Sequence, residues 1–259
     1  MILYLIVAFL ATLLGSAAGM GGGVIIKPMM DLLGDYSISE ISVFASITVL
    51  CMAAFSTVQQ ITRGFKVTRV LIAVTVGSVA GGVLGSFVLS RMIVSVDGNA
   101  VKAVQSAVLF LLLLVCLFHH RIPHKHIKSP IIIGLIGMIL GLFSAFLGIG
   151  GGPINVAVLG IFLSLEIRRS ARASVFIILF SQTAGLIAKT ADGVLAAIPD
   201  YSVLLVMVPA AIAGALIGTQ LNHKLSDKRI NGMYRVSVML VMLICVYNFI
   251  VATTGQMLI

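Results

Sequence analysis

Residues 19–23 read Gly19-Met20-Gly21-Gly22-Gly23, and residues 148–152 read Gly148-Ile149-Gly150-Gly151-Gly152. Each cluster follows one apolar run and precedes another. A glycine inside a helix costs about 1 kcal/mol relative to alanine, so several in a row interrupt it. Two apolar helices are therefore broken at matching places in two halves of one chain. Backbone freed inside a bilayer has to be covered by protein or by a polar cavity. Paired interruptions of this kind are the best pointer in a sequence to a transporter's binding region.

Composition sets the environment. Of 259 residues, 60% are hydrophobic and only 10% are charged, against roughly a quarter charged in a soluble domain. Mean hydropathy is +1.19. Long apolar runs cover residues 2–14, 41–61, 70–89, 101–118, 131–147, 203–221 and 236–251. About 20 such residues span the hydrocarbon core as a helix. The chain reads as an all-α polytopic membrane protein. The formal net charge of +9 sits in short loops between apolar runs, where it sets orientation rather than binding nucleic acid. Cys51, Cys116 and Cys245 lie inside apolar runs with no C-x-x-C pair, so they read as small core residues. The first run has no Lys or Arg before it and continues into a glycine cluster that recurs later. It reads as a retained helix rather than a cleaved signal segment.

The repeat extends beyond the glycines. Gly81-Gly82-Val83-Leu84-Gly85-Ser86 is echoed by Gly214-Ala215-Leu216-Ile217-Gly218-Thr219. The halves are residues 1–120 and 130–259, joined by a basic loop over 121–129. Each reads as a broken helical hairpin followed by three transmembrane helices. Charge orients them. If both hairpins are re-entrant, one side receives Arg63, Lys66, Arg69, Arg121, Lys125, Lys128, Arg168, Arg169, Arg172, Lys224, Lys228, Arg229 and Arg235. The other receives only Lys27, Arg91, Lys102 and Lys189. Fully crossing hairpins separate the charges far less well. The expectation is two inverted-topology repeats with six full spans and two re-entrant or nearly spanning hairpins. The basic loop then faces the cytoplasm and both termini face away from it.

Several residues are candidate ligands. After each cluster a short helix begins, near Val24 and Pro153. Its free N–H groups and positive dipole end suit an anion. This nominates Gly19, Gly21, Gly22 and Gly23, with Gly148, Gly150, Gly151 and Gly152. Lys27 lies one turn past Gly23, and an ionisable group at that depth is a candidate by default. Val156 occupies the matching position of the second half, beside Asn155, an amide donor. The next span of each half carries a polar stripe on one helical face. One stripe is Thr48, Ser56 and Gln59; the other is Ser174, Ser181, Gln182 and Gly185. Taken singly, such residues make ordinary interhelical hydrogen bonds; taken together they suit a cavity lining. Gly77, Gly81 and Gly85, with Ala210, Gly214 and Gly218, read as packing ridges. His119, His120, His124 and His126 lie among loop cations and lack a strong metal-ligand spacing. Asp97, Asp192 and Asp200 fall near span ends, so no buried carboxylate relay is apparent.

The stretch from Gly19 to Pro28, its second copy from Gly148 to Gly152, and the G-x-x-x-G-[S/T] echoes at Gly81 and Gly214 resemble the TauE/SafE sulfite-exporter family of membrane permeases. The resemblance covers essentially the whole chain. It implies transport of sulfite, sulfonates, sulfoacetate-like or other organic anions across the bacterial cytoplasmic (inner) membrane. The second copy departs from the pattern, with Pro153 directly after Gly152 and Ala157 where the first copy has Pro28. The reading is a secondary transporter for a small anion, held at the midplane between the two breaks. It needs no cofactor or metal, is not an enzyme, and works as monomer or homodimer with H+ or Na+ as a coupling ion. The rivals are an anion channel of the same fold and an intramembrane enzyme or assembly factor. Substrate identity, direction of flux, the coupling ion, if any, and the oligomeric state are open at this point.

Overall fold

The structure is a computed structural model that describes residues 1–118, 127 and 129–254. Those residues are all-helical. A hairpin of α1 (Ile2–Ala18) and α2 (Gly23–Leu33) precedes α3 (Ile38–Thr62), α4 (Arg69–Ser95) and α5 (Gly98–Phe118). The second half repeats that order. A hairpin of α6 (Pro130–Leu147) and α7 (Gly152–Leu163) precedes α8 (Ile167–Ala191), α9 (Leu204–Lys224) and α10 (Asp227–Thr254). Seven of the helices are long and apolar enough to cross a membrane: α3, α4, α5, α6, α8, α9 and α10. The sequence reading counts six full spans and treats α6 as a hairpin arm. Its 18 residues extend about 27 Å at 1.5 Å per residue, so by length that arm also qualifies as a span.

Local chemistry sets the helix ends. Ser37 Oγ accepts from the Glu40 N–H while the Glu40 carboxylate accepts from the Ser37 N–H. This reciprocal cap starts α3 three residues before its apolar run begins. Left-handed glycines stop both first arms, Gly19 at φ 74° and Gly148 at φ 64°. Only a residue without Cβ adopts that conformation freely.

Both hairpins close at their outer ends. The Tyr4 hydroxyl donates to Asp35, which joins the start of α1 to the end of α2. The Ile127 N–H donates to the Phe162 carbonyl at 3.1 Å, which joins the approach to α6 to the end of α7. The turn of each hairpin, its glycine cluster, lies inside the bundle.

The halves lend helices to each other. Gly77, Gly81 and Gly85 of α4 lie on the carbonyls of Gly134, Met138 and Leu142 of α6, where any Cβ would overlap. Gly214 and Gly218 of α9 lie the same way on Phe9 and Leu13 of α1. These ridges allow the close approach that apolar solvent alone does not drive. The helix α3 and its counterpart α8 run antiparallel. Lys189, near the end of α8, reaches Ser42 and Ser46 near the start of α3. Phe65, just past the end of α3, packs on Phe176 in the first half of α8 at 6.3 Å between centroids.

Charge divides between the two ends of the bundle. Arg168 bonds Asp227 and the His223 and Leu225 carbonyls, and Arg172 bonds Asn222 and His223. The basic start of α8 thus sits on the turn between α9 and α10. The opposite end carries an aromatic run through Tyr4, Tyr36, Phe44 and Tyr201, each step an edge contact. Acids gather there. Asp35, Asp200 and Glu40 help burial to raise the Tyr36 phenol above its usual range. Exposed Asp200 is held below the usual carboxylate range by the Ser202 hydroxyl and N–H.

Candidate functional site

The two helix breaks meet. A Cβ built on Gly23 would overlap the Ile149 carbonyl, and one on Gly152 would overlap the Met20 carbonyl. The second contact is the first with the halves exchanged, since each residue is replaced by the one 129 positions away. The side chains around the breaks repeat the exchange in one pair of contacts, Val49 on Gly150 and Ile178 on Gly21. Val49 packs on Gly23 and Gly150, and Ile178 packs on Gly21 and Gly150. Val49 and Ile178 are 129 residues apart and lie at the middle of α3 and α8. The breaks therefore touch at mid-length of the bundle, backbone on backbone.

Several amides at the contact carry no partner. Gly21 N–H donates to the Gly15 carbonyl at 3.4 Å, and Gly22 N–H meets the Met52 sulfur at 3.4 Å. The N–H groups of Gly23, Gly150, Gly151 and Gly152 have no acceptor among the described residues. Carbonyls at the breaks are better served. Ser174 Oγ lies 2.7 Å from the Gly19 oxygen and 3.2 Å from the Gly152 oxygen. One hydroxyl so ties both breaks to α8.

The remaining candidates divide. Gln182 Nε2 donates to Ser144 Oγ at 3.3 Å, and Ser144 lies against Gly151, so Gln182 belongs to the second break. Ser56 is engaged by other helices. It donates to Ser16 and accepts from Thr219, each at 3.0 Å, joining α3 to α1 and α9. Ser181 bonds back to the Ile178 carbonyl of its own helix. Thr48 and Asn155 are fully buried, and their polar side-chain atoms have no partner among the described residues. Gln59 is half-buried with its Oε1 unpaired. Gly185 accepts from Ser86 on α4 through its carbonyl. Lys27 is buried and donates to Gln105 Oε1, while Gln105 Nε2 donates to the Phe146 carbonyl at the end of α6. Lys27 is thus held inside its own half by Gln105, which in turn reaches the other half, and it does not snorkel to the surface. His119, His120, His124, His126 and most of the 121–129 loop lie outside the described residues. Among the described residues no His, Cys, Asp and Glu group could hold a metal.

Two large cavities flank the breaks, and the glycines line neither. One, of about 460 Å³, lies among the start of α3, the end of α4, the end of α8 and the segment beyond it. Lys189 lines it. The other, of about 620 Å³, lies among the end of α3, the start of α4, the end of α7 and the start of α8. Its polar wall is Lys66, Thr68, Arg169 and Arg172, and the rest is largely leucine and other apolar side chains. Because α3, α4 and α8 run between them, the cavities are at opposite ends of the same helices. Sequence reasoning missed Ser144, Gln105, Met52 and the burial of Lys189. A Gln in the apolar run of α5 was a usable signal for one of them.

Comparison with known proteins agrees with this architecture. A family model described as "Sulfite exporter TauE/SafE" matches residues 4–247. The chain is 26% identical over 254 residues to "Probable membrane transporter protein MJ0441" of Methanocaldococcus jannaschii, covering 89% of this chain and 90% of that one. It is also 26% identical over 117 residues to "Probable membrane transporter protein MamO" of Paramagnetospirillum magneticum, covering 44% of this chain and 18% of that one. No solved structure matches it. With the model match running over nearly its full length, the chain belongs to the TauE/SafE sulfite exporter family of membrane transporters.

Proposed function

We propose that this transporter moves a small sulfur-containing or organic anion, such as sulfite or a sulfonate, between the two cavities. The paired helix breaks serve as both binding site and barrier. The observation that carries the reading is the reciprocal backbone contact of the breaks at mid-length, between cavities at opposite ends. In this conformation the contact closes the path. Tilting one hairpin away would part Gly23 from Ile149 and Gly152 from Met20 together. That motion would turn the unpaired N–H groups of Gly23, Gly150, Gly151 and Gly152 toward one cavity. Free amides with a positive helix end attract an anion without a full positive charge. Release then remains easy. Lys27, Asn155, Thr48, Ser174 and Gln182 would complete the site as one half rocks against the other.

The antiparallel run of α3 and α8 supports an inverted repeat, and the basic end fits the cytoplasm. Both termini then lie on the far side. The Arg169, Arg172 and Lys66 wall would gather anions from the cytoplasm. A proton or Na+ gradient would drive net movement.

The test is counterflow in proteoliposomes. Protein loaded with sulfite inside should take up labelled sulfite, sulfate or methanesulfonate with saturation and trans-stimulation. Uptake that rises linearly with concentration and ignores the internal anion would identify a channel instead.

A further inference from the structure

Lys189 entered the sequence reading only as one of four cations on the sparsely charged side. In the structure it is 4% exposed and lines the 460 Å³ cavity. Its Nζ donates to the Ser42 carbonyl at 3.0 Å, Ser42 Oγ at 2.8 Å and Ser46 Oγ at 3.0 Å. Every acceptor is neutral. Among the described residues the ion pairs are Arg168–Asp227 and Arg169–Glu166, both at the other end of the bundle. A buried charge without a counter-charge is costly.

The neighbourhood adds positive charge. Lys27 brings a second buried cation to the same part of the bundle. A Cβ on Gly148 would lie 2.9 Å from Ser42 Oγ and 3.5 Å from Lys27 Cδ, so Ser42 and Lys27 flank the same glycine. The end of α6 offers only about half a negative charge there. Asp31 sits one turn from Lys27 and leaves Lys189 unmatched. Glu40 and Asp192 also line the cavity. Asp192 is exposed to water, where salt screens it, and half-buried Glu40 has its carboxylate turned back onto the Ser37 N–H.

The geometry points to an oxyanion subsite made by Lys189 with the Ser42 and Ser46 hydroxyls, at the floor of this cavity and one step from the breaks. It rests on the anion-transport reading and extends it. The ammonium supplies charge; the Ser42 hydroxyl can donate to an anion oxygen while its lone pair accepts from Lys189, and the Ser46 hydroxyl can do the same by turning its proton from the Ser42 carbonyl, 2.7 Å away. Lys27 lies on the inner side. A substrate leaving the breaks toward this end would meet Lys189 before reaching water.

The experiment uses the full chain, purified in detergent free of anionic lipid, with sodium sulfite as probe. The sulfite dependence of the melting temperature is measured for wild type, Lys189→Gln, Lys189→Arg, Asp192→Asn and the double variant Ser42→Ala/Ser46→Ala. Half-saturation should rise about tenfold or more in Lys189→Gln, the scale of a lost charge-assisted hydrogen bond. Lys189→Arg should recover most of it, and Asp192→Asn should behave as wild type. If Lys189→Gln does not fold, the double variant carries the test, and its half-saturation should rise severalfold. A folded variant of either kind with wild-type half-saturation overturns the subsite. So does a Lys189-dependent shift produced by phosphatidylglycerol but not by sulfite, because the occupant is then a lipid headgroup. Counterflow separates the two levels of inference. Wild type without saturable sulfite exchange defeats the transport reading, whereas wild-type exchange with unchanged KM in Lys189→Gln defeats the subsite alone.

Discussion

Replacing Gly152 by alanine tests the contact between the breaks with the smallest possible change. Gly152 is the first residue of α7 and needs no left-handed backbone, so alanine brings no conformational strain of its own. Its Cβ would collide with the carbonyl oxygen, carbonyl carbon and Cα of Met20. These are backbone atoms of the opposing break and cannot rotate aside as a side chain would. Overpacking a tight site costs about 1–3 kcal/mol, and a backbone obstacle belongs at the upper end. At 1.4 kcal/mol per factor of ten, about 3 kcal/mol lowers the population of the closed contact roughly a hundredfold. Gly232→Ala on α10 is the control, because its Cβ would meet nothing within 4 Å. The assays are thermal unfolding in detergent and sulfite counterflow in proteoliposomes. Gly152→Ala should melt several degrees lower and exchange sulfite at least tenfold more slowly, while the control matches wild type or melts slightly higher. A Gly152→Ala protein with wild-type melting and exchange would refute the reasoning.

Further expectations concern single contacts. Ser174→Ala removes the hydroxyl that serves the Gly19 and Gly152 carbonyls and should cost about 0.5–1.5 kcal/mol in unfolding free energy, by the usual worth of a hydrogen bond. Thr219→Val removes only one link of the Ser16, Ser56 and Thr219 chain, so its loss should be nearer 0.6 kcal/mol, with sulfite half-saturation unchanged. Gln105→Leu strands the Lys27 ammonium and the Phe146 carbonyl in the interior and should destabilise by about 1–3 kcal/mol, read by denaturant-dependent unfolding. Arg169→Gln thins the basic wall of the 620 Å³ cavity; KM for sulfite measured from that face should rise, and the rise should shrink in high salt.

Much of the fold was legible because it follows from solvent and backbone chemistry. Breaks at Gly19–Gly23 and Gly148–Gly152 follow from helix propensity, and the spans follow from run length. The division of Lys and Arg anticipated that the starts of α4 and α8 share an end with the turn after α9. Other features depend on contacts between residues far apart in the chain. Lys189 looks like a span-end cation until α3 brings Ser42 to it across 147 positions. Ser56 looks like cavity lining because period alone puts it on a polar stripe, yet Ser16 and Thr219 occupy that face. Ser144 gives no warning, since glycine holds the matching place in the first half. Periodicity identifies a helix face. It does not say which helix, or which half, covers it.

The most direct measurement is a cryo-electron microscopy map of the protein in lipid nanodiscs with saturating sulfite. The account predicts density for an anion within hydrogen-bonding distance of the Gly23 and Gly150, Gly151 or Gly152 amides, with one hairpin displaced from the other. Sulfite bound only elsewhere, with Gly23 still seated on Ile149 and Gly152 on Met20, would contradict it.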